Sequence, residues 1–187
     1  MAKSLHSELI LGGQKSGKSR RAEWLARQWL DAAPTHRAVL VATGQAWDDE
    51  MRDRIARHQR DRAERVPGMG TVEEPLALDR ALRALSTPQT LVVADCLTMW
   101  LTNLMMPAED TPVDPTAPTQ ALCGAITDAP GPVVLVSNEI GLGVIPMGRD
   151  VRAFVDALGS MNQQVATICA RVTLMAAGLP LRLKDVP

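Results

Sequence analysis

An eight-residue segment near the start of the chain has the composition of a phosphate-binding loop. Gly12-Gly13-Gln14-Lys15-Ser16-Gly17-Lys18-Ser19 matches the Walker A pattern, in which glycines allow several backbone N–H groups to point at one anion. Lys18 adds a positive charge for the β- and γ-phosphates, and the Ser19 hydroxyl stands where it can ligate Mg²⁺. The segment therefore predicts a nucleoside triphosphate as ligand and phosphoryl transfer as the chemistry.

Asp95 is the best candidate for the acid that accompanies such a loop. It ends the apolar run Thr90-Leu91-Val92-Val93-Ala94, and a carboxylate at the end of a neighbouring strand commonly holds Mg²⁺ directly or through water. Asp95 could instead cap the helix predicted from Leu97, and the two roles are compatible. We expect Ser19 and Asp95 to share the metal.

The phosphate loop requires a strand before it and a helix after it, and the sequence supplies both. Residues 8–11 are apolar, and the apolar residues within 18–31 recur at helical spacing. Further buried strands are predicted at 38–42, 90–94, 133–136 and near 172–176, with the last closing the sheet. A short extended segment is predicted at 70–73, helices at 48–65, about 75–85, 97–105 and across 151–168, and a surface loop at 107–118.

Apolar strands that alternate with helices predict a mostly parallel sheet with helices on both faces. The expected fold is therefore an α/β P-loop NTPase domain of the RecA-like type, and the length of 187 residues suits one domain over 1–187.

The predicted helix 48–65 is unusually charged. Twelve of its eighteen residues are Asp, Glu or Arg, whereas Met51, Ile55 and His58 fall at i, i+4 and i+7 on one narrow stripe. Because the helix has little to bury, we expect it to project toward solvent or a neighbouring subunit.

The overall composition narrows the possible partners and the compartment. The 20 Lys and Arg residues nearly balance the 21 Asp and Glu residues, so no global field favours nucleic acid or a membrane surface. No apolar run is long enough to span a bilayer, and Met1 to Ser7 lacks the apolar core of a signal peptide. Three dispersed cysteines predict reduced, mostly buried thiols. We expect a cytoplasmic protein.

The residues just after the loop and four further segments extend the pattern along nearly the whole chain. In chain order, the matching residues are Arg20 and Ala22-Glu23 after the loop; Ala42-Thr43, Asp48 to Met51, Arg54-Ile55 and His58; Glu73-Glu74-Pro75; Asp95 to Thr98 with Trp100 to Leu104; and Val136 to Gly141, Gly143, Pro146, Arg149, Arg152, Phe154, Asp156, Gly159, Asn162 and Gln163. This order resembles the bifunctional adenosylcobinamide kinase/adenosylcobinamide-phosphate guanylyltransferase family of cobalamin biosynthesis.

The resemblance implies two reactions at one nucleotide site. Adenosylcobinamide is phosphorylated with ATP or GTP, and GMP from GTP is then transferred to adenosylcobinamide phosphate through a GMP-histidine intermediate. By motif position the histidine is His58, with Lys18 as the second catalytic residue. The resemblance also places the nucleotide base and ribose on Gln45, Ala46 and Trp47, on Gln59, Arg60, Asp61 and Arg62, and on Glu73. It suggests a homo-oligomer, specifically a trimer.

Several alternatives remain open at the level of sequence. The chain could be a small-molecule kinase that transfers only the γ-phosphoryl group, with His58 as an ordinary surface residue, or a non-catalytic nucleotide-dependent switch. Trp47 could stack on a base or pack at a helix start. Asn138-Glu139 follows a predicted strand, where ligands bind in open α/β sheets, so substrate or metal positioning is favoured over simple turn chemistry. The segment 66–70 departs from the family pattern.

Overall fold

The computed structural model describes residues 7–46, 48–108 and 111–185, without the side chain of Arg54. The strands are β1 Ser7–Gly12, β2 Arg37–Ala42, β3 Gly70–Glu73, β4 Thr90–Asp95, β5 Val133–Val136, β6 Arg171–Ala176 and β7 Leu179–Asp185. The helices are α1 Lys18–Ala32, α2 Asp49–Arg65, α3 Leu78–Leu85, α4 Leu97–Met105, α5 Thr116–Thr127 and α6 Arg149–Ile168.

These strands form one seven-stranded sheet in the order β3-β2-β4-β5-β1-β6-β7. Every pairing is parallel except the antiparallel pair of β6 and β7. The central strands are apolar over 9–11 in β1, 91–94 in β4 and 133–136 in β5, because both faces of a parallel sheet are covered. The predicted α/β fold with a mostly parallel sheet is confirmed.

The core lies in two layers, one on each face of the sheet. On one face Ala22 and Ala26 of α1 pack against Ile10 and against the buried residues of β2 and β4 that point to the same face of the sheet. On the other face the apolar sides of α3, α4, α5 and α6 cover Leu9 and Leu11 of β1. The side chains of β1 therefore alternate between the two layers, with Leu9 and Leu11 on one face and Ile10 on the other.

The charged helix α2 stands apart from both layers. No described residue of α2 is buried, and only Val66, just after the helix, enters the core. The Asp48 carboxylate caps the helix by accepting a hydrogen bond from the Met51 N–H at 2.7 Å. At the other end Arg65 pairs with Glu23 of α1 at 3.0 Å. The expectation that this helix has little to bury is met among its described residues.

Two helix boundaries differ from the sequence expectation. The helix expected from about Pro75 begins at Leu78 because the Glu74 carboxylate accepts hydrogen bonds from the N–H groups of Leu76 and Ala77, which forms a turn. Helix α5 begins at Thr116, inside the loop expected over 107–118. Pro118 is tolerated there because the first helical N–H groups have no partner within the helix.

The prediction that the strand near 172–176 closes the sheet is wrong. Strand β7 pairs with β6 through a tight turn in which Ala177 and Gly178 both have positive φ, at 51° and 81°. Leu179, Leu181 and Leu183 alternate along β7 and are all exposed, so the strand lacks the apolar pattern of a buried strand.

In the described part of the chain no helix is long and apolar enough to cross a membrane.

A buried ion network ties the first strand to its surroundings. The Glu8 side chain is fully buried and accepts from Arg21 of α1 at 3.0 Å, from Arg171 at 3.3 Å and from the Thr173 hydroxyl at 2.8 Å. These contacts join β1 to α1 on one side and to β6 on the other.

We predict that Glu8→Ala lowers the free energy of unfolding by about 3 kcal/mol, because it leaves two guanidinium groups without their buried partner. Urea unfolding monitored by circular dichroism measures the loss. Asp31→Ala removes the carboxylate of an exposed pair with Arg27 and should cost less than about 1 kcal/mol. Equal losses in the two variants would contradict the structural role of the network.

Candidate active site

The phosphate-binding loop connects the carboxyl end of β1 to the start of α1. Gly12 and Gly17 adopt positive φ values of 151° and 101°, which glycine tolerates best. A Cβ atom on Gly12 would lie 2.5 Å from the Met175 carbonyl oxygen and from the Ser16 hydroxyl. No side chain caps the amino end of α1, so the helix presents its N-terminus to the loop. The predicted geometry of an anion cradle is present.

Two neighbouring segments hold the loop from outside. The Gly178 N–H in the β6–β7 turn donates to the Ser16 carbonyl at 3.0 Å, and the Glu139 N–H after β5 donates to the Gly12 carbonyl at 3.1 Å. The unexpected strand β7 thus supports the loop through its turn.

Lys18 is positioned across the loop. Its side chain is almost fully buried, and its Nζ donates to the Gly13 carbonyl at 2.7 Å. Two buried hydroxyls of the region, Ser16 Oγ and Ser137 Oγ, have no hydrogen-bond partner among the described residues. Because unpaired buried hydroxyls are costly, they fit a site whose partners are the oxygens of a phosphate.

A cavity of about 230 Å³ opens beside the loop, between the sheet and α2. Seven of the residues predicted for the site line it. They are Gln14, Ser19, His58, Gln59, Arg62, Glu73 and Asp95, and Asn138 lines it as well. In the sheet, β5 lies between β1, which precedes the loop, and β4, which ends at Asp95. Asp95 is therefore two strands away from the loop. The structure thus brings the phosphate loop, the candidate acid and the candidate nucleophile to one cavity.

His58 reaches this cavity on the predicted stripe of α2. Met51, Ile55 and His58 all line it, as the i, i+4, i+7 spacing requires, and His58 is exposed. Arg62 lies one turn further along and donates to the Thr71 hydroxyl at 3.1 Å. One face of α2 therefore forms the wall opposite the sheet.

Several other predicted residues do not line this cavity. Arg60 lies on the far side of α2 by the helical period, and Asp61 pairs with Arg65 at 3.2 Å. Gln45 and Ala46 follow β2 but do not line the cavity. Trp47 lies outside the described residues.

Two polar residues, Thr43 and Asn103, connect the ends of β2 and β4 beside the cavity, and the sequence did not single them out. The buried Thr43 hydroxyl donates to the Cys96 carbonyl at 2.7 Å and accepts from the Cys96 N–H at 2.9 Å. The Asn103 amide donates to the Thr43 carbonyl at 2.8 Å. Thr43 and Asn103 were visible only as members of longer motifs, because a polar residue that bonds to the backbone has no spacing signature. They hold β2, β4 and α4 in register.

Cys96 is the other potential nucleophile on the cavity wall. Burial and the neighbouring Asp95 raise the pKa of its thiol to about 11, so it is protonated at neutral pH. A thiol in that state is a poor nucleophile.

The oxygen donors of the cavity are suited to a hard cation. Among the described residues there is no group of three or more His, Cys, Asp or Glu that could hold a metal alone. Ser19 and Asp95 contribute one hydroxyl and one carboxylate to the same cavity. This sparse donor set fits Mg²⁺, which usually keeps several waters and takes phosphate oxygens of the substrate as ligands.

Comparisons with known proteins extend over nearly the full chain. The family described as "Cobinamide kinase / cobinamide phosphate guanyltransferase" matches residues 8–183. The chain is 46% identical over 181 residues to the bifunctional adenosylcobalamin biosynthesis protein CobP of Pseudomonas aeruginosa, covering 96% of this chain and 98% of that protein. It is 35% identical over 187 residues to the bifunctional adenosylcobalamin biosynthesis protein CobU of Escherichia coli, covering 94% and 98% of the two chains.

Among solved structures, the fold is similar to that of the flagellar accessory protein FlaH from Methanocaldococcus jannaschii. The TM-score is 0.53 at 11% sequence identity, and the match covers 97% of this chain and 79% of that one. At this identity the likeness concerns the fold alone, and it agrees with the P-loop architecture described above.

We predict that Gly12→Ala destabilises the protein by about 2–4 kcal/mol, because a methyl group would meet the Met175 carbonyl at a backbone angle that alanine avoids. Gly13→Ala is the matched control, since a Cβ there meets no atom within 4 Å, and its stability should change by less than about 0.5 kcal/mol. Chemical denaturation without nucleotide measures both. Similar stability in the two variants would show that the loop does not depend on contact with β6.

Proposed function

The chain belongs to the cobinamide kinase / cobinamide phosphate guanyltransferase family, and on that premise we propose that one nucleotide site performs both of its reactions. Membership makes the protein a bifunctional enzyme of adenosylcobalamin biosynthesis, with kinase and guanylyltransferase activities. The observation that carries the proposal is the single cavity shared by the phosphate loop and His58.

In the kinase reaction the loop binds the triphosphate of ATP or GTP. Lys18 and the N-terminus of α1 stabilise the negative charge that develops on the γ-phosphoryl group. The aminopropanol hydroxyl oxygen of adenosylcobinamide attacks the γ-phosphorus, the bond to the β–γ bridging oxygen breaks and a nucleoside diphosphate leaves. The hydroxyl proton passes to solvent. The product is adenosylcobinamide phosphate.

In the guanylyltransferase reaction His58 acts as the nucleophile toward GTP. A neutral imidazole nitrogen attacks the α-phosphorus, a phosphorus–nitrogen bond forms and pyrophosphate leaves. A phosphate oxygen of adenosylcobinamide phosphate then attacks the same phosphorus, the bond to nitrogen breaks and adenosylcobinamide-GDP forms. The exposure of His58 supports this assignment, because an exposed nitrogen can meet first the nucleotide and then the acceptor.

Four further cavity residues are proposed to contact the nucleotide. Gln14, Gln59 and Glu73 offer amide and carboxylate groups to the base and ribose, and Arg62 offers a guanidinium to the phosphates. We propose that Ser19 and Asp95 hold Mg²⁺, Asp95 directly or through water. When bound, the ion neutralises charge on the transferred phosphoryl group.

We also propose that the enzyme is a cytoplasmic homo-oligomer, and specifically a trimer. The support within this chain is α2, which has no buried side chain among its described residues and leaves its charged surface available to a neighbouring subunit. Sedimentation equilibrium at micromolar concentration tests the state, and a strict monomer would overturn it.

Incubation with α-³²P-GTP and Mg²⁺ should place an acid-labile, alkali-stable label on the protein. His58→Asn should abolish the label, since an amide nitrogen is not nucleophilic, while phosphorylation of adenosylcobinamide continues. His36→Asn is the matched control, because His36 stacks on Trp29 away from the cavity and should not affect labelling. An unlabelled wild-type protein that still phosphorylates adenosylcobinamide would support the kinase-only alternative.

Lys18→Ala should reduce the kinase rate and the labelling rate together, each by about 10²–10³-fold, because both reactions use the same triphosphate cradle. Arg27→Ala, in the exposed part of α1, serves as the control for a lost positive charge. Retention of full kinase activity in the lysine variant would refute the shared site.

A further inference from the structure

A second, larger cavity lies on the opposite face of the sheet from the nucleotide cavity. It is a groove of about 900 Å³ between α6, the β6–β7 edge and the loop that follows β5. Leu11 and Val172 form its floor, and residues 139–146 cover one side. This volume lies at the upper end of the range for small-molecule sites, so the groove suits a large ligand.

The groove borders the phosphate loop through the ends of β1 and β5, although none of residues 12–19 lines it. Leu11, in its floor, is bonded directly to Gly12 of the phosphate loop. At the end of β5 the chain passes between the two cavities, because Asn138 lines the nucleotide cavity and Glu139 lines the groove. The Glu139 N–H also donates to the Gly12 carbonyl. The two cavities therefore lie on opposite faces of the sheet, and their linings meet at consecutive residues after β5.

One buried acceptor in the groove has no partner. Asn162 is only 4% exposed, and its Nδ2 donates to the Asn138 carbonyl at 3.1 Å. Its Oδ1 has no hydrogen-bond partner among the described residues, although Asn162 lines the groove. A buried amide oxygen without a donor is costly, so this atom is suited to accept an N–H group from a ligand.

No contact among the described residues explains why α6 has a glycine near its middle. Gly159 is ten residues from the start of a twenty-residue helix, where glycine is less favourable than alanine. A Cβ built on it meets no atom within 4 Å, so no neighbour in the chain requires its small size. Gly159 lines the groove, and its missing side chain keeps the space beside Asn162 open.

The covering loop presents apolar groups to whatever enters. Leu142 is 80% exposed, Val144 96% and Ile145 77%. Arg152 of α6 holds the end of this loop by donating to the carbonyls of Pro146 and Met147. Exposed apolar residues on a tethered loop at the mouth of a groove are typical of a ligand-binding surface.

We propose that this groove binds the corrin macrocycle of the acceptor, with a peripheral carboxamide donating to Asn162 Oδ1 and the ring against Leu142, Val144 and Ile145. The assignment rests on the proposed function. The charged groups at the groove are balanced, with Glu139 and Asp156 opposite Arg152 and Lys184. This balance favours an amide-rich, weakly charged ligand over a polyanion. The nucleotide and the acceptor then bind on opposite faces of the sheet.

Gly159→Leu tests the site because a Cβ at this position meets no described atom within 4 Å and the position lines the groove. The KM for adenosylcobinamide should rise at least tenfold, and equilibrium dialysis read by corrin absorbance should show the same loss of affinity. The rate of labelling with α-³²P-GTP should not change, because that half-reaction does not use the acceptor. Ala153→Leu, on an exposed position of the same helix outside the groove, should leave the KM within twofold.

A second variant protects the test against a folding defect in α6. Leu142→Asp alters an exposed side chain of the loop and should raise the same KM at least threefold with no change in the melting temperature. An unchanged KM in both groove variants, with normal folding, would overturn the proposal. So would a changed oligomeric state in Gly159→Leu without loss of corrin affinity, which would make the groove an interface between copies.

These experiments distinguish failure of the proposed function from failure of the proposed corrin groove. Wild-type protein that binds adenosylcobinamide in dialysis but does not phosphorylate it would contradict the proposed function. Loss of that binding in Gly159→Leu but not in Ala153→Leu would still support the groove. Turnover by wild type with equal dialysis affinity in both leucine variants would contradict the groove alone.

Discussion

The close approach of the phosphate loop to β6 is the contact on which the site depends. The Met175 carbonyl oxygen occupies the position where any other residue at Gly12 would place its Cβ. This contact lets β1 lie between β5 and β6, so the segments that follow all three strands meet around the loop. The hydrogen bonds from Gly178 and Glu139 close the loop on two sides. A side chain at Gly12 would separate the phosphate cradle from the strand beside it.

The sequence predicted the interior of the sheet better than its edge. Buried parallel strands are continuous apolar runs, so 90–94 and 133–136 stood out, and Walker A spacing fixed the loop between β1 and α1. Strand β7 and helix α5 were missed for physical reasons. The leucines of β7 are exposed, and α5 begins among prolines and contains few large apolar residues. Edge elements take their structure from pairing partners that a local pattern does not contain.

The site was predicted best where helical periodicity was used. The i, i+4, i+7 spacing placed Met51, Ile55 and His58 on one face, and that face lines the cavity. Arg60 and Asp61 were included because they follow His58 in a motif, yet successive helical residues point about 100° apart. The groove on the other face of the sheet gave no signal that could be read without the fold, because Leu11, Gly159 and Val172 are distant in sequence.

The packing of α2 bears on the order of events in a two-step transfer. The helix contributes no buried side chain among its described residues, and it is tied to α1 by the partly exposed pair of Arg65 and Glu23. Because the helix contributes no buried apolar side chain, a local shift of this wall disturbs little of the core. A nucleophile on a lightly held helix suits a reaction in which His58 meets the α-phosphorus, pyrophosphate departs and the acceptor phosphate then approaches the same atom. The phosphate cradle, by contrast, is held by the hydrogen bonds from Gly178 and Glu139, so in the proposed reaction α2 is the wall of the site that shifts more easily.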